Sequence, residues 1–255
     1  MKPIFLIITV CVLGAAIFLG LKIKNNVGAN NSASSSETSV NQNGQTPEEF
    51  VPPPPPEKTL EEKTLEKLNE TIDYKNSDTR KFALDIANKF PGEHNIKQVC
   101  AIYKEIFSKW KYVSDPAGEE YFAKASESIT DNLTGDCDDF AILMCATLRT
   151  IGFNTRLTTA FGTEGGHAFT EVYLTEEPQK VREQINSQYS NLLQDIFGES
   201  EVKEINYRNS IDKEGIWLNL DWTSKYPGGK YFNYNRYTIY NFEDNTYFSG
   251  TKDEQ

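Results

Sequence analysis

The stretch "NLTGDCDDFAILMCATLRTIG", residues 132–152, decides how the rest of the chain is read. Its apolar residues Phe140, Leu143, Met144, Leu148 and Ile151 recur at helical spacing, which predicts a helix with one buried face. Cys137 stands off that face, in the first turn, beside Asp136, Asp138 and Asp139. A helix N-terminus favours an anion through its unpaired N–H groups and partial positive charge, but neighbouring carboxylates oppose a thiolate. A cysteine placed here needs a cationic partner to become a nucleophile, and an imidazolium is the natural one.

The chain offers two histidines. His94, in "FPGEHNIK", reads as a surface or capping residue where a helix opens. His167 follows "TEGG" and begins the strand "HAFTEVYL", a place from which it can project into a cleft or sit as an ordinary edge residue. An orienting acceptor for a histidine base is offered by "WLNLDWT", where Asp221 lies among Trp217, Leu218, Leu220 and Trp222. A carboxylate in such surroundings needs a partner or a wet cleft, unless it points to solvent at the strand end.

Working outward, "EKTLEEKTLEKLNETIDY" (57–74), "DTRKFALDIANKF" and "NIKQVCAIYKEIFSKW" read as amphipathic helices, the last two separated by Pro91-Gly92. The first of them reads as loosely docked, packing against or tethering the domain. After the Cys137 helix, "NTRLTTAFG" and "HAFTEVYL" read as strands joined by a turn over Gly162 to Gly166. "PQKVREQINSQYSNLLQDIF" is a surface helix opened by Pro178, and "GIWLNLDWT" and "YTIYNF" are later strands. Helices come first and strands gather late, so the fold class is α+β.

The N-terminal run 4–21, "IFLIITVCVLGAAIFLGL", has the length of a membrane-spanning helix. Residues 1–24 are therefore expected to be an uncleaved transmembrane anchor, with a cleaved signal segment as the alternative. Residues 25–56 are expected to be a disordered polar and polyproline linker. Pro52 to Pro56 would form a rod on the order of 15 Å long, at about 3.1 Å per residue. Residues 57–255 form the domain, with a core at about 78–245, expected outside the cytoplasm and anchored by one N-terminal helix. The formal charge of −11 makes nucleic acid and anionic membrane surfaces poor partners. Cys11, Cys100, Cys137 and Cys145 make no disulfide framework. Cys100 and Cys145 read as buried thiols, with a single bridge between them as the alternative outside the cytoplasm. The "DCDD" spacing is not that of a calcium loop, and no thiol and histidine cluster of the zinc type occurs, so neither metal nor cofactor is expected.

Three blocks, "GDCDDFAILMCATLRTIGFNTRL", "GGHAFTEVYL" and "WLNLDWT", together with the upstream "WKYVSDP", resemble the transglutaminase-like, papain-related cysteine enzymes over roughly residues 95–235. The resemblance implies a core in which the nucleophile opens a helix packed on an antiparallel sheet. It implies Cys137 as nucleophile, His167 as general base and then acid, and Asp221 as the residue that fixes the imidazole. It also implies an oxyanion donor near the cysteine: its own backbone N–H, joined by Trp110 or Tyr112. The activity implied is attack on an amide or peptide bond through a thioester, with a protein or peptide as substrate. Hydrolysis by a protease or amidase is favoured over crosslinking by an acyltransferase, since no accessory domain is evident. A non-catalytic peptide- or glycan-binding module is the third reading, prompted by tail aromatics such as Tyr231, Phe232, Tyr234, Tyr237, Tyr247 and Phe248.

Overall fold

The computed structural model describes residues 56–116, 120–197 and 201–252. The apolar run 4–21 and the linker up to residue 55 lie outside the described residues. Among those described, no helix is long and apolar enough to cross a membrane.

Four helices and a short strand pair come first: α1 (Leu60–Thr71), α2 (Ser77–Ala87), α3 (Ile96–Lys109), β1 (Lys111–Tyr112), α4 (Ala125–Thr130) and β2 (Thr134–Gly135). Then follow α5 (Cys137–Thr150), β3 (Thr155–Gly162), β4 (Gly165–Leu174) and α6 (Pro178–Phe197). Strands β5 (Tyr207–Asn209), β6 (Ile216–Asn219), β7 (Arg236–Asn241) and β8 (Thr246–Thr251) complete the fold, with a 3-10 turn at Trp222–Ser224. Six strands form one antiparallel sheet in the order β5-β6-β4-β3-β7-β8, and β1 pairs in parallel with β2. The α+β expectation is met.

The helix starts are dictated by side chains that satisfy orphan N–H groups. Thr59 and Glu62 form a reciprocal capping box on α1, and Asn95 and Gln98 do the same on α3. The first helix is firmly docked, contrary to the loose packing expected from its charges: Leu65, Leu68 and Ile72 are buried in the main core. The second correction concerns α5. Every residue from Asp138 to Leu148 is buried, so this helix is enclosed on all sides rather than along one stripe. It runs through the middle of the domain, between α2, α3 and α4 and the sheet.

Side chains alternate between the faces of the sheet. Leu157, Ala168, Val172, Leu218, Leu220 and Tyr240 join the helical core. On the other face, Ala160, Phe169, Tyr234, Tyr237 and Ile239 make a second, mostly aromatic cluster. Tail rings read as possible ligand platforms are thus largely core residues: Tyr234, Tyr237, Tyr240 and Phe242 are buried, and among these rings Phe248 is the most exposed. Glycine is required where the β3–β4 hairpin meets the segment before β7. A Cβ on Gly162 would lie 2.1 Å from the carbonyl oxygen of Asn233.

Candidate active site

The site is built around the first turn of α5. Asp136 is the N-cap; its carboxylate accepts from the Asp138 N–H, and Asp139 reaches back to the Asp136 N–H at 3.3 Å. Asp139 also accepts from the Ala123 N–H at 2.8 Å, which ties the segment before α4 to this turn. Two of the three carboxylates flanking Cys137 are therefore committed to backbone donors. Burial also bears on the charge of Asp138 and Asp139. Burial, then the hydrogen bond and charge of Asp136, push the Asp138 carboxyl far above the usual range. Burial also pushes Asp139 up to about 6, against the opposing pull of the Ala123 N–H. The electrostatic objection raised by the sequence "DCDD" is thus weakened, because burial disfavours the charged form of Asp138.

Cys137 is the first residue of α5 and half-buried. Cys100 and Cys145 are buried and free, and no bridge joins them. Burial pushes the Cys145 thiol up to about 11 and that of Cys100 higher still, so both are inert. The Sγ of Cys137 and carboxylate oxygens of Asp136 and Asp138 lie within 4.8 Å of one another, close enough to share a metal ion. Burial disfavours the charged form of Asp138, which works against a cation held there.

His167 is the third residue of β4, opposite Ala160, rather than at the mouth of the strand. Its Nε2 lies 2.9 Å from Oδ1 of Asp221, and both residues are buried. Nδ1 is the nitrogen left for chemistry. Asp221 is not on a strand; it follows β6 and caps the 3-10 turn, accepting from the Thr223 N–H at 2.9 Å. It does not point to solvent: it is fully buried, and its Oδ2 has no hydrogen-bond partner among the described residues. The carboxylate's hydrogen bonding is concentrated on the oxygen that faces the histidine.

The backbone around Asp221 is held from three directions. Tyr103, fully buried on α3, donates its hydroxyl to the Asp221 carbonyl at 2.7 Å. Asn219 accepts from the Asp221 N–H at 3.1 Å and donates to the Gly229 carbonyl at 2.9 Å. Trp222 stacks on Tyr112, ring centroids 5.0 Å apart. Tyr112 is paired with Gly135, the residue before the α5 N-cap, so this stack couples the approach to Cys137 with the exit from Asp221. Helix α5 also packs directly on β4: Thr170 Oγ1 donates to the carbonyl of Ala141, one turn beyond Cys137. Of the two expected oxyanion side chains, Tyr112 stacks on Trp222, and Trp110 closes α3 as its C-cap. Its Nε1 is closed off from solvent, and its ring packs edge-on against Phe140. His94 is exposed and its ring lies tilted at 43° against that of Phe153; Asn95 caps that helix.

Tyr103 and Asn219 are not singled out by the sequence, and Phe232, whose ring centroid lies 4.7 Å from that of His167, is read there only as a tail aromatic that could meet a ligand. The only local signal was Asn219, two places before Asp221 in "WLNLDWT". A separate cavity of about 630 Å³ lies on the outer sheet face between Arg156, Arg208, Trp217 and Phe248, and none of Cys137, His167 and Asp221 lines it.

Residues 80–182 match the Transglutaminase-like superfamily, a span that includes Cys137 and His167 and ends before Asp221. No curated protein matches the chain. Among solved structures, it is similar to one from Cytophaga hutchinsonii described as a candidate cysteine protease. That pair is 24% identical over 41% of this chain, with a TM-score of 0.32, and the chain spans 38% of that structure's length. It is also similar to Legionella pneumophila LapG in calcium-bound form, 21% identical over 64% of this chain and 75% of that one, with a TM-score of 0.36. The EGTA-treated form of LapG is 17% identical over 74% of this chain and 91% of that one, with a TM-score of 0.40. Over residues 80–182, about two-fifths of its length, the chain is similar to the transglutaminase-like superfamily.

Proposed function

We propose that this domain is a cysteine enzyme that hydrolyses an amide or peptide bond in a protein or peptide through a thioester. The observation that carries the reading is the buried His167–Asp221 pair at 2.9 Å, on elements packed against the helix that Cys137 opens. In this reading the Cys137 thiolate attacks the carbonyl carbon, and the oxyanion is met by the Cys137 backbone N–H at the helix N-terminus. His167 gives its proton to the departing nitrogen as the C–N bond breaks. Neutral again, it takes a proton from water, whose oxygen attacks the thioester; the C–S bond breaks and the thiolate returns. Asp221 holds the imidazole in one tautomer and stabilises its charged form. No cofactor takes part. Residues 4–21 would tether the domain to a membrane with its site outside the cytoplasm.

The test is incubation of the wild type and Cys137→Ala with a peptide mixture in ¹⁸O-water, followed by mass spectrometry. New carboxyl termini carrying ¹⁸O in the wild type alone are expected. Peptide–peptide amides without ¹⁸O would instead identify an acyltransferase, and products equally abundant in Cys137→Ala would end the reading.

A further inference from the structure

The aromatic face of the sheet carries a device that the reaction steps above do not use. Residues 229–235 have no regular secondary structure, yet they are tied down along their whole length. The Gly229 carbonyl accepts from Asn219, and that of Lys230 accepts from Ser224 Oγ at 2.9 Å. The Tyr231 hydroxyl donates to Oε1 of Glu171 at 2.6 Å, and Arg208 donates to the Tyr234 hydroxyl at 2.7 Å. The Asn235 N–H donates to the Phe161 carbonyl, and the Asn233 carbonyl lies so close to Gly162 that no side chain fits there. Phe232 sits in the middle of these ties, its ring inclined by 42° against the imidazole of His167.

The anchor beneath is unusual. Glu171 is fully buried, and its Oε2 takes 2.8 Å bonds from both Arg156 Nε and an Arg208 Nη. His167, Phe169 and Glu171 alternate along β4 and so share one face of a rigid sheet. The Glu171 anchor and the His167 imidazole are therefore fixed in one frame, and Tyr231 and Phe232, adjacent in sequence, touch one each.

We infer that residues 229–235 are a strap that presses Phe232 onto His167, with Tyr231 and Glu171 as its anchor; its role rests on the reading of His167 as the base. An imidazole held through Nε2 can still tip about that bond. A ring packed 4.7 Å away and inclined by 42° limits that freedom and covers the buried His167–Asp221 pair. Phe232 is in these terms a positioning residue, and Tyr231 acts through it.

The test uses the full chain, with ¹³C in histidine alone. Because there are two histidines, a His94→Gln background leaves the His167 imidazole as the one signal. Phe232→Leu should move that signal downfield by removing the ring current, Phe232→Tyr should leave it, and Tyr231→Phe, which deletes one hydroxyl, should move it part of the way. Alkylation of Cys137 by iodoacetamide at one pH should slow about two- to five-fold in Phe232→Leu and recover in Phe232→Tyr. An unmoved signal in both Phe232→Leu and Tyr231→Phe, or an unchanged alkylation rate in Phe232→Leu while His167→Ala is slow, overturns the strap alone. An unchanged rate in His167→Ala overturns instead the role of His167 on which the strap depends.

Discussion

Glu171→Gln should be among the most damaging single substitutions in this domain that leaves shape nearly intact. The wild-type carboxylate is wholly buried and bonded to two guanidinium groups whose side chains are 11% and 13% exposed. Burial alone would raise its pKa, but Arg156 and Arg208 outweigh burial, with help from Tyr231, and hold it below the ordinary glutamate range. The amide keeps one acceptor but leaves two nearly buried cations uncompensated. Breaking a buried pair in this way costs about 3–5 kcal/mol, a large part of a total stability of about 5–15 kcal/mol. Urea unfolding followed by tryptophan fluorescence measures it, with the slope m as a check that the transition remains two-state. A second variant, Glu171→Gln with Arg208→Met, should recover part of the loss, because one orphaned charge goes with it. The wild type should also lose this contribution as pH falls below about 4.3, through the lowered native pKa, whereas Glu171→Gln should not. A loss under about 1 kcal/mol, the value of a surface pair, would refute the reasoning.

Gly162→Ala places a Cβ 2.1 Å from a backbone oxygen that cannot swing away, and should cost about 1–3 kcal/mol in the same urea assay. Thr59→Ala removes the capping box of α1 and should cost about 1 kcal/mol. Asp139 titrates in the opposite sense to Glu171. With its native pKa raised to about 6, the unfolded chain gives up this proton first, so stability falls as pH rises from about 4 to about 6. In Asp139→Asn that decline should be shallower by about 1.4 kcal/mol per pH unit, read from urea midpoints across the interval.

The parts of the fold that are local were legible in the sequence. The spacing of α5, the proline opening α6 and the glycines around the β3–β4 turn are each decided within a few residues. The candidate triad was legible for a related reason: with two histidines and three cysteines beyond the N-terminal run, there were few combinations to weigh. What escaped was non-local. Glu171 sits in "HAFTEVYL" at a place that alternation leaves ambiguous, and its partners Arg156, Arg208 and Tyr231 come from three other segments. Strand β5 has three residues and β8 contains a glycine and no aliphatic side chain, so neither carries a strong signal. Full enclosure of α5 was hidden because Ala, Thr and Cys on its second face look neutral in sequence and are buried only by packing from both sides. Asp221 was assigned to the right segment but the wrong element, since the change from strand to 3-10 turn is made by the bonds of Asn219, Tyr103 and Thr223.

The measurement that tests the central claim most directly is the pH profile of Cys137 alkylation in the wild type, His167→Ala and Asp221→Asn. The account predicts a thiolate that reacts well below the free-cysteine value of about 8.5, a profile restored to ordinary in His167→Ala and weakened in Asp221→Asn. An ordinary profile in the wild type, the same in both variants, would contradict it.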